Sequence, residues 1–132
     1  MVNLPQIILA LILLLTAIII KIFPPKNIQY SYGYRTNFSM INLETWQFGN
    51  KMSSTILMIG SSIIILEKLS FMFLIPGYDK LSTILFIGLL VLTLLLSIIL
   101  TEKYLRKTFD KQGKYLKQYK NKPVEDNINR MQ

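Results

Sequence analysis

The chain contains no cysteine and no histidine. It therefore has no thiolate nucleophile, no disulfide, no His-based acid–base pair and no ordinary His/Cys zinc site. Acidic residues are also few, 7 Asp and Glu against 15 Lys and Arg in 132 residues, a net charge of +8. Charge is scarce altogether, at 17% of residues against 52% hydrophobic. A soluble domain interleaves its charges with its apolar residues, whereas here they collect between long apolar runs. The sequence has no internal repeat and no Gly/Ser linker, so residues 1–122 read as one domain.

Those runs are membrane spans. Leu81–Leu100 has no charged residue in 20 positions, about 30 Å as a helix, the thickness of a hydrocarbon core. Pro5–Phe23 is similar: Pro5 suits a first helical turn, Lys21 can reach the headgroups, and Pro24-Pro25 stops the helix. A cleaved signal peptide would need basic residues before this run and a small-residue cleavage site after it, and neither is present. The middle run, Met52–Leu66, is short, about 22 Å as a helix. Either the helix continues through Glu67-Lys68 to Ile75, with both charges near the far interface, or it ends there and Leu69–Ile75 lies along the membrane. One long helix starting near Asn42 is the preferred reading. The spans are thus expected at about 5–23, 52–75 and 81–101.

Orientation follows from the Lys/Arg bias. The segment from Glu102 onward carries nine Lys/Arg against four acids, and the loop Pro24–Lys51 carries Lys26, Arg35 and Lys51 against Glu44. Three spans put these two basic segments on one side, expected to be the cytoplasm, with the N-terminus and the short turn Pro76–Lys80 outside. Beyond the third span, Leu105, Phe109, Gln112, Leu116 and Tyr119 fall at helical spacing. A basic amphipathic helix is expected over 102–120, its apolar stripe on the inner leaflet and Arg106, Lys107, Lys111, Lys114 and Lys117 facing anionic headgroups. Residues 123–132 are expected to be disordered. The fold class is all-α: three transmembrane helices, a structured loop over 24–51, and that basic tail helix.

The loop is where the sequence is richest. Tyr30, Tyr32 and Tyr34 alternate, so an extended segment places them on one face, and Gly33 permits a turn or close approach. Asn42, Trp46 and Asn50 lie at i, i+4 and i+8, one stripe of a helix that Asn42 or Ser39 can cap. Aromatics near a membrane often serve only as interface anchors, and Arg35 can contact lipid phosphate. Anchoring, however, requires neither the glycine nor the fixed Asn spacing.

Tyr32-Gly33-Tyr34-Arg35-Thr36, followed by Ser39, Asn42, Trp46 and Gly49-Asn50 and preceded by Pro24-Pro25-Lys26-Asn27, resembles the SdpI family of bacterial membrane proteins. The resemblance implies immunity, that is, protection of the producing cell from a membrane-active toxin peptide by binding the toxin or its membrane target. In the founding member it also implies membrane sequestration of a transcriptional repressor. Longer members carry additional spans ahead of this module that are missing here, so protection is what the resemblance implies for this chain. It marks Tyr32, Gly33, Tyr34, Arg35, Thr36, Ser39, Asn42, Trp46 and Asn50 as the candidate binding residues, in the bacterial cell membrane.

Two other function classes stand beside this one. A small accessory subunit of a transporter or sensor needs only the spans. A membrane enzyme would have to work with carboxylates, Arg35 and Tyr hydroxyls, and only Glu44 shares the motif loop. No catalytic residue, cofactor, metal or nucleic-acid partner is expected. Glu67 is a further candidate, since an acid within a span is costly and functional by default, although Lys68 beside it allows both to reach the outer headgroups.

Overall fold

The computed structural model describes residues 3–28, 31–74 and 76–116. Its described residues form α1 (Asn3–Ile22), α2 (Leu43–Phe73) and α3 (Asp79–Thr108). All three are long and apolar enough to cross a membrane, and the chain is a multi-pass membrane protein. At 31 and 30 residues, α2 and α3 run about 45 Å, well beyond the hydrocarbon thickness.

Helix α2 is the centre of the bundle. Both α1 and α3 pack along it, while α1 and α3 scarcely meet. Buried Ala10 and Ala17 on α1 let that helix approach closely. The buried residues of α3 run Ser82, Phe86, Thr93, Ser97, Thr101 and Leu105, and Lys68 and Ile64 of α2 meet Ser82 and Phe86 among them. Large apolar residues such as Ile12, Ile63, Ile84 and Ile98 point away from the bundle. This arrangement suits lipid, where apolar side chains gain nothing by turning inward and small residues let helix backbones come together. The closest approach sets Gly60 of α2 against Thr93 of α3: a Cβ at Gly60 would collide with the Thr93 side chain. Gly60→Leu should therefore cost about 1–3 kcal/mol, the usual range for overpacking. Thr93→Ala should recover part of that loss in thermal melts of the detergent-solubilised chain.

Helix α2 begins at a reciprocal cap. The Asn42 side chain accepts from Thr45 N at 2.9 Å, and Thr45 Oγ1 accepts from Asn42 N at 3.2 Å. At its other end the helix continues through Glu67-Lys68 to Phe73. Lys68 does not reach the headgroups as one reading of the sequence allows: it is fully buried, turned onto α3. Its Nζ donates to Ser82 O at 2.9 Å and Ser82 Oγ at 2.6 Å. Glu67 Oε2 lies 3.7 Å from that nitrogen.

The tail departs from its expected form. The helix expected over 102–120 ends at Thr108, and Phe109 is extended with φ −119° and ψ 151°. Asp110 reverses the chain: its Oδ1 accepts the N–H groups of Gln112 and Lys114 at 2.8 and 2.9 Å. Gly113 takes φ +76°, a conformation costly for other residues. Leu116 N then returns to Thr108 O at 3.0 Å. Turn chemistry at Asp110 and Gly113 thus overrides the helical stripe. Leu105 and Phe109 are buried, so they do not form a lipid-facing stripe. The remainder of the expected helix, including Lys117 and Tyr119, and the tail 123–132 lie outside the described residues.

Candidate functional site

The loop between α1 and α2 and the turn after α3 fold together at one end of the bundle. The assembly starts from Trp46, fully buried on the first turns of α2. Its indole Nε1 donates to Pro25 O at 3.1 Å, so the proline pair that ends α1 also anchors the loop. One turn further on, Asn50 is equally buried. Its Nδ2 donates to Trp46 O at 2.8 Å, and its Oδ1 accepts from Tyr34 N at 2.7 Å. That bond draws the Tyr-Gly-Tyr segment onto the helix. Gly33 passes beside the Asn50 amide and the Trp46 ring with φ +111°, leaving no room for a Cβ. Both the conformation and the space require glycine.

The next residues make a tight polar knot. Thr36 N donates to Ser39 Oγ at 2.9 Å and Ser39 N to Thr36 Oγ1 at 3.1 Å. Thr45 Oγ1 donates to Ser39 O at 3.1 Å, fixing the knot on α2. Gly49 lets Tyr34 and Ser39 lie close to the helix. Two contacts carry the loop across to α3: Tyr34 OH donates to Ile98 O at 3.1 Å, and Thr36 Oγ1 donates to Glu102 Oε2 at 3.1 Å. Arg106 holds the other Glu102 oxygen through two nitrogens at 3.0 and 2.8 Å, with its guanidinium over the Phe38 ring. Asn42 reaches the turn after α3, donating to Gly113 O at 2.8 Å. Phe109 closes this side between Phe48 and Tyr115.

Of the nine residues singled out in the sequence, Gly33, Tyr34, Thr36, Ser39, Asn42, Trp46 and Asn50 meet in this cap. Tyr32 and Arg35 are exposed on its surface. Asn50 and Trp46 meet the loop segment through Tyr34 and Gly33. Sequence reasoning named Pro25 only as a helix stop and part of the motif, and did not place Thr45, Glu102 or Gly113 in the site. Glu102 was recognisable as the acid that ends the longest apolar run. Gly113 carried no sign that its carbonyl would meet Asn42.

Burial raises the Tyr34 phenol above its ordinary value of 10.0, and the nearby Glu102 carboxylate adds to the rise. Burial likewise raises Tyr115, with Glu44 contributing. A phenol raised on folding contributes its full stability below the unfolded value and loses it as pH climbs through the folded one. Alkaline titration between about pH 9 and pH 12 should therefore lower the melting temperature of the wild-type chain more steeply than that of Tyr34→Phe. The phenolate can no longer donate to Ile98 O, whereas Phe has no such proton to lose.

Residues that could hold a metal ion do not cluster among the described residues. The cap presents a hydrogen-bonded surface with Tyr32 and Arg35 exposed at its edge.

The family model of the SdpI/YfhL protein family matches residues 26–101, spanning the loop, α2 and most of α3. The chain is also similar to the protein YfhL of Bacillus subtilis (strain 168), which is described as uncharacterized. The two are 32% identical over 102 residues, covering 77% of this chain and 86% of that protein. No solved structure matches the chain.

Proposed function

Because the chain belongs to the SdpI/YfhL protein family, we propose that it is an immunity protein of the bacterial cell membrane, protecting the cell that makes it from a membrane-active toxin peptide. Protection comes from contact with the toxin, or with the toxin's target, in or beside the bilayer. The observation that supports this reading most is the motif itself. Seven of its residues build a closed cap, and Tyr32 and Arg35 remain at its surface. A tether between two spans has no use for so ordered a loop. A guanidinium there can grip a carboxylate, a carbonyl cluster or a phosphate through two parallel hydrogen bonds.

In this reading the cap faces the cytoplasm and the N-terminus faces outside, following the Lys/Arg bias. Exposed Lys107, Lys111 and Lys114, together with Arg106, surround the cap and hold it to the anionic inner leaflet. Each contributes about 1 kcal/mol near such a surface.

The test is survival. Toxin-sensitive cells expressing the chain should survive a membrane-active peptide encoded beside its gene. Arg35→Ala, at equal protein level, should lose that survival at least tenfold. Full protection by the variant would remove Arg35 from the mechanism. If the wild-type chain protects against no such peptide, it is better read as an accessory subunit of a larger membrane assembly.

A further inference from the structure

Where the cap meets the apolar part of the bundle, each helix carries one lysine at a common level. Gly49 of α2 lies against Leu105 of α3, and Gly60 against Thr93; between these two contacts Lys51 stands level with Lys103. On α1, Ala10 packs with Ile64, and Pro25 O accepts from Trp46 Nε1. These contacts set Lys21 within about one helical turn of the same level. All three lysines are exposed, and none is in an ion pair among the described residues. The acids at this end are engaged elsewhere. Glu102 receives Thr36 and Arg106, Asp110 receives the N–H groups of its own turn, and Glu44 lies near Tyr115. The counter-charge for the three lysines therefore comes from outside the chain.

The same lysines border the lipid-facing surface. On their membrane side Ile19, Ile59 and Ile99 are each more than half exposed. A ligand that fits offers negative charge at the lysines and an apolar body a turn or two deeper, which is the build of an anionic phospholipid. Free phosphate and a soluble acidic protein lack that body. The opposite end of the bundle makes no such demand, since Glu67, Lys68, Asp79 and Lys80 cancel one another. An anchor is also needed: α2 and α3, at about 45 Å, outrun the hydrocarbon. Apolar length alone leaves their seating open, and interfacial charges help to set it.

We propose that Lys21, Lys51 and Lys103 form a collar that binds the headgroups of anionic phospholipids around the bundle. Lys107, Lys111 and Lys114 stand further from the hydrocarbon and act on the leaflet as a whole, whereas the collar takes the lipids in contact with the helices. The proposal needs only the three spans and is independent of the immunity reading.

The experiment places the full chain in phosphatidylcholine nanodiscs with a trace of phosphatidylglycerol or phosphatidylcholine, spin-labelled on the acyl chain. The motionally restricted fraction of the resonance spectrum reports the lipid held against the helices. The wild-type chain should favour phosphatidylglycerol about fivefold, the ratio that about 1 kcal/mol at one lysine gives. Lys21→Gln, Lys51→Gln and Lys103→Gln combined should bring the preference below about twofold, the charge contribution being gone. Its melting temperature should match the wild type, because all three side chains are exposed. The matching Lys→Arg variant should keep the preference. Equal association of the two lipids with the wild-type chain overturns the collar, as does a higher preference in the Gln variant or its loss in the Arg variant. If the Gln variant does not fold, the wild-type and Arg arms still decide. Sodium phosphate that removes the preference, where sodium chloride of equal ionic strength does not, makes this a free-phosphate site, and the lipid assignment falls.

Discussion

Trp46→Ala should destabilise the chain by about 3–5 kcal/mol, the range for removing a large buried aromatic. The indole is fully enclosed, lies against Gly33 and donates to Pro25 O. Truncation therefore opens a cavity and frees the loop's first anchor at once. Thermal or denaturant unfolding in detergent measures the cost. A residue serving only as an interface anchor would show little loss, because lipid or detergent fills the vacated space. Trp46→Phe separates the two contributions, since it keeps most of the ring and loses only the hydrogen bond, worth about 0.5–1.5 kcal/mol.

Lys68→Met should be as costly, about 3–5 kcal/mol, because it leaves the Glu67 carboxylate buried without its cation. The ammonium lies 3.7 Å from Glu67 Oε2, donates twice to Ser82 and sits 5.1 Å from the centre of the Phe86 ring. Adding Glu67→Gln to Lys68→Met should restore most of the stability, because replacing a whole buried ion pair is far less costly than breaking it. If Lys68 reached the headgroups instead, both single and double variants would melt within about 0.5 kcal/mol of wild type, as surface substitutions do.

These two residues also mark how far the sequence could be read. Trp46 was legible in part, because Asn42 and Asn50 recur at a spacing of four along the start of α2, whereas the indole's own partners, Pro25 and Gly33, come from the loop. The spans were legible because twenty uncharged residues in a row have few other uses. Lys68 was not, because a charge beside another charge near a helix end reads as interfacial, and hydropathy along the chain does not tell which way a side chain turns. The partner that decides it, Ser82, lies on another helix. The tail misled for a different reason. Leu105, Phe109 and Leu116 keep helical spacing, but Asp110 supplies a side-chain-bonded turn and Gly113 a left-handed residue, and these fold the chain back after Thr108. Phe109 then finds Phe48 and Tyr115 instead of lipid. The cap was half visible: the motif residues announced an ordered loop, while Glu102 and Gly113, which tie it to α3 and to the turn beyond, come from distant sequence.

The absence of cysteine makes one measurement especially direct for the central claim, an ordered motif cap on the cytoplasmic end of three spans. Single cysteines introduced as Arg35→Cys, Asn50→Cys and Tyr78→Cys, each in the full chain, are treated with a membrane-impermeant maleimide on intact cells and again after lysis. Position 78 should label on intact cells, position 35 only after lysis, and position 50 only after denaturation, because Asn50 is buried in the cap. Labelling of position 35 from outside, or ready labelling of position 50 in lysed but undenatured membranes, would contradict the account.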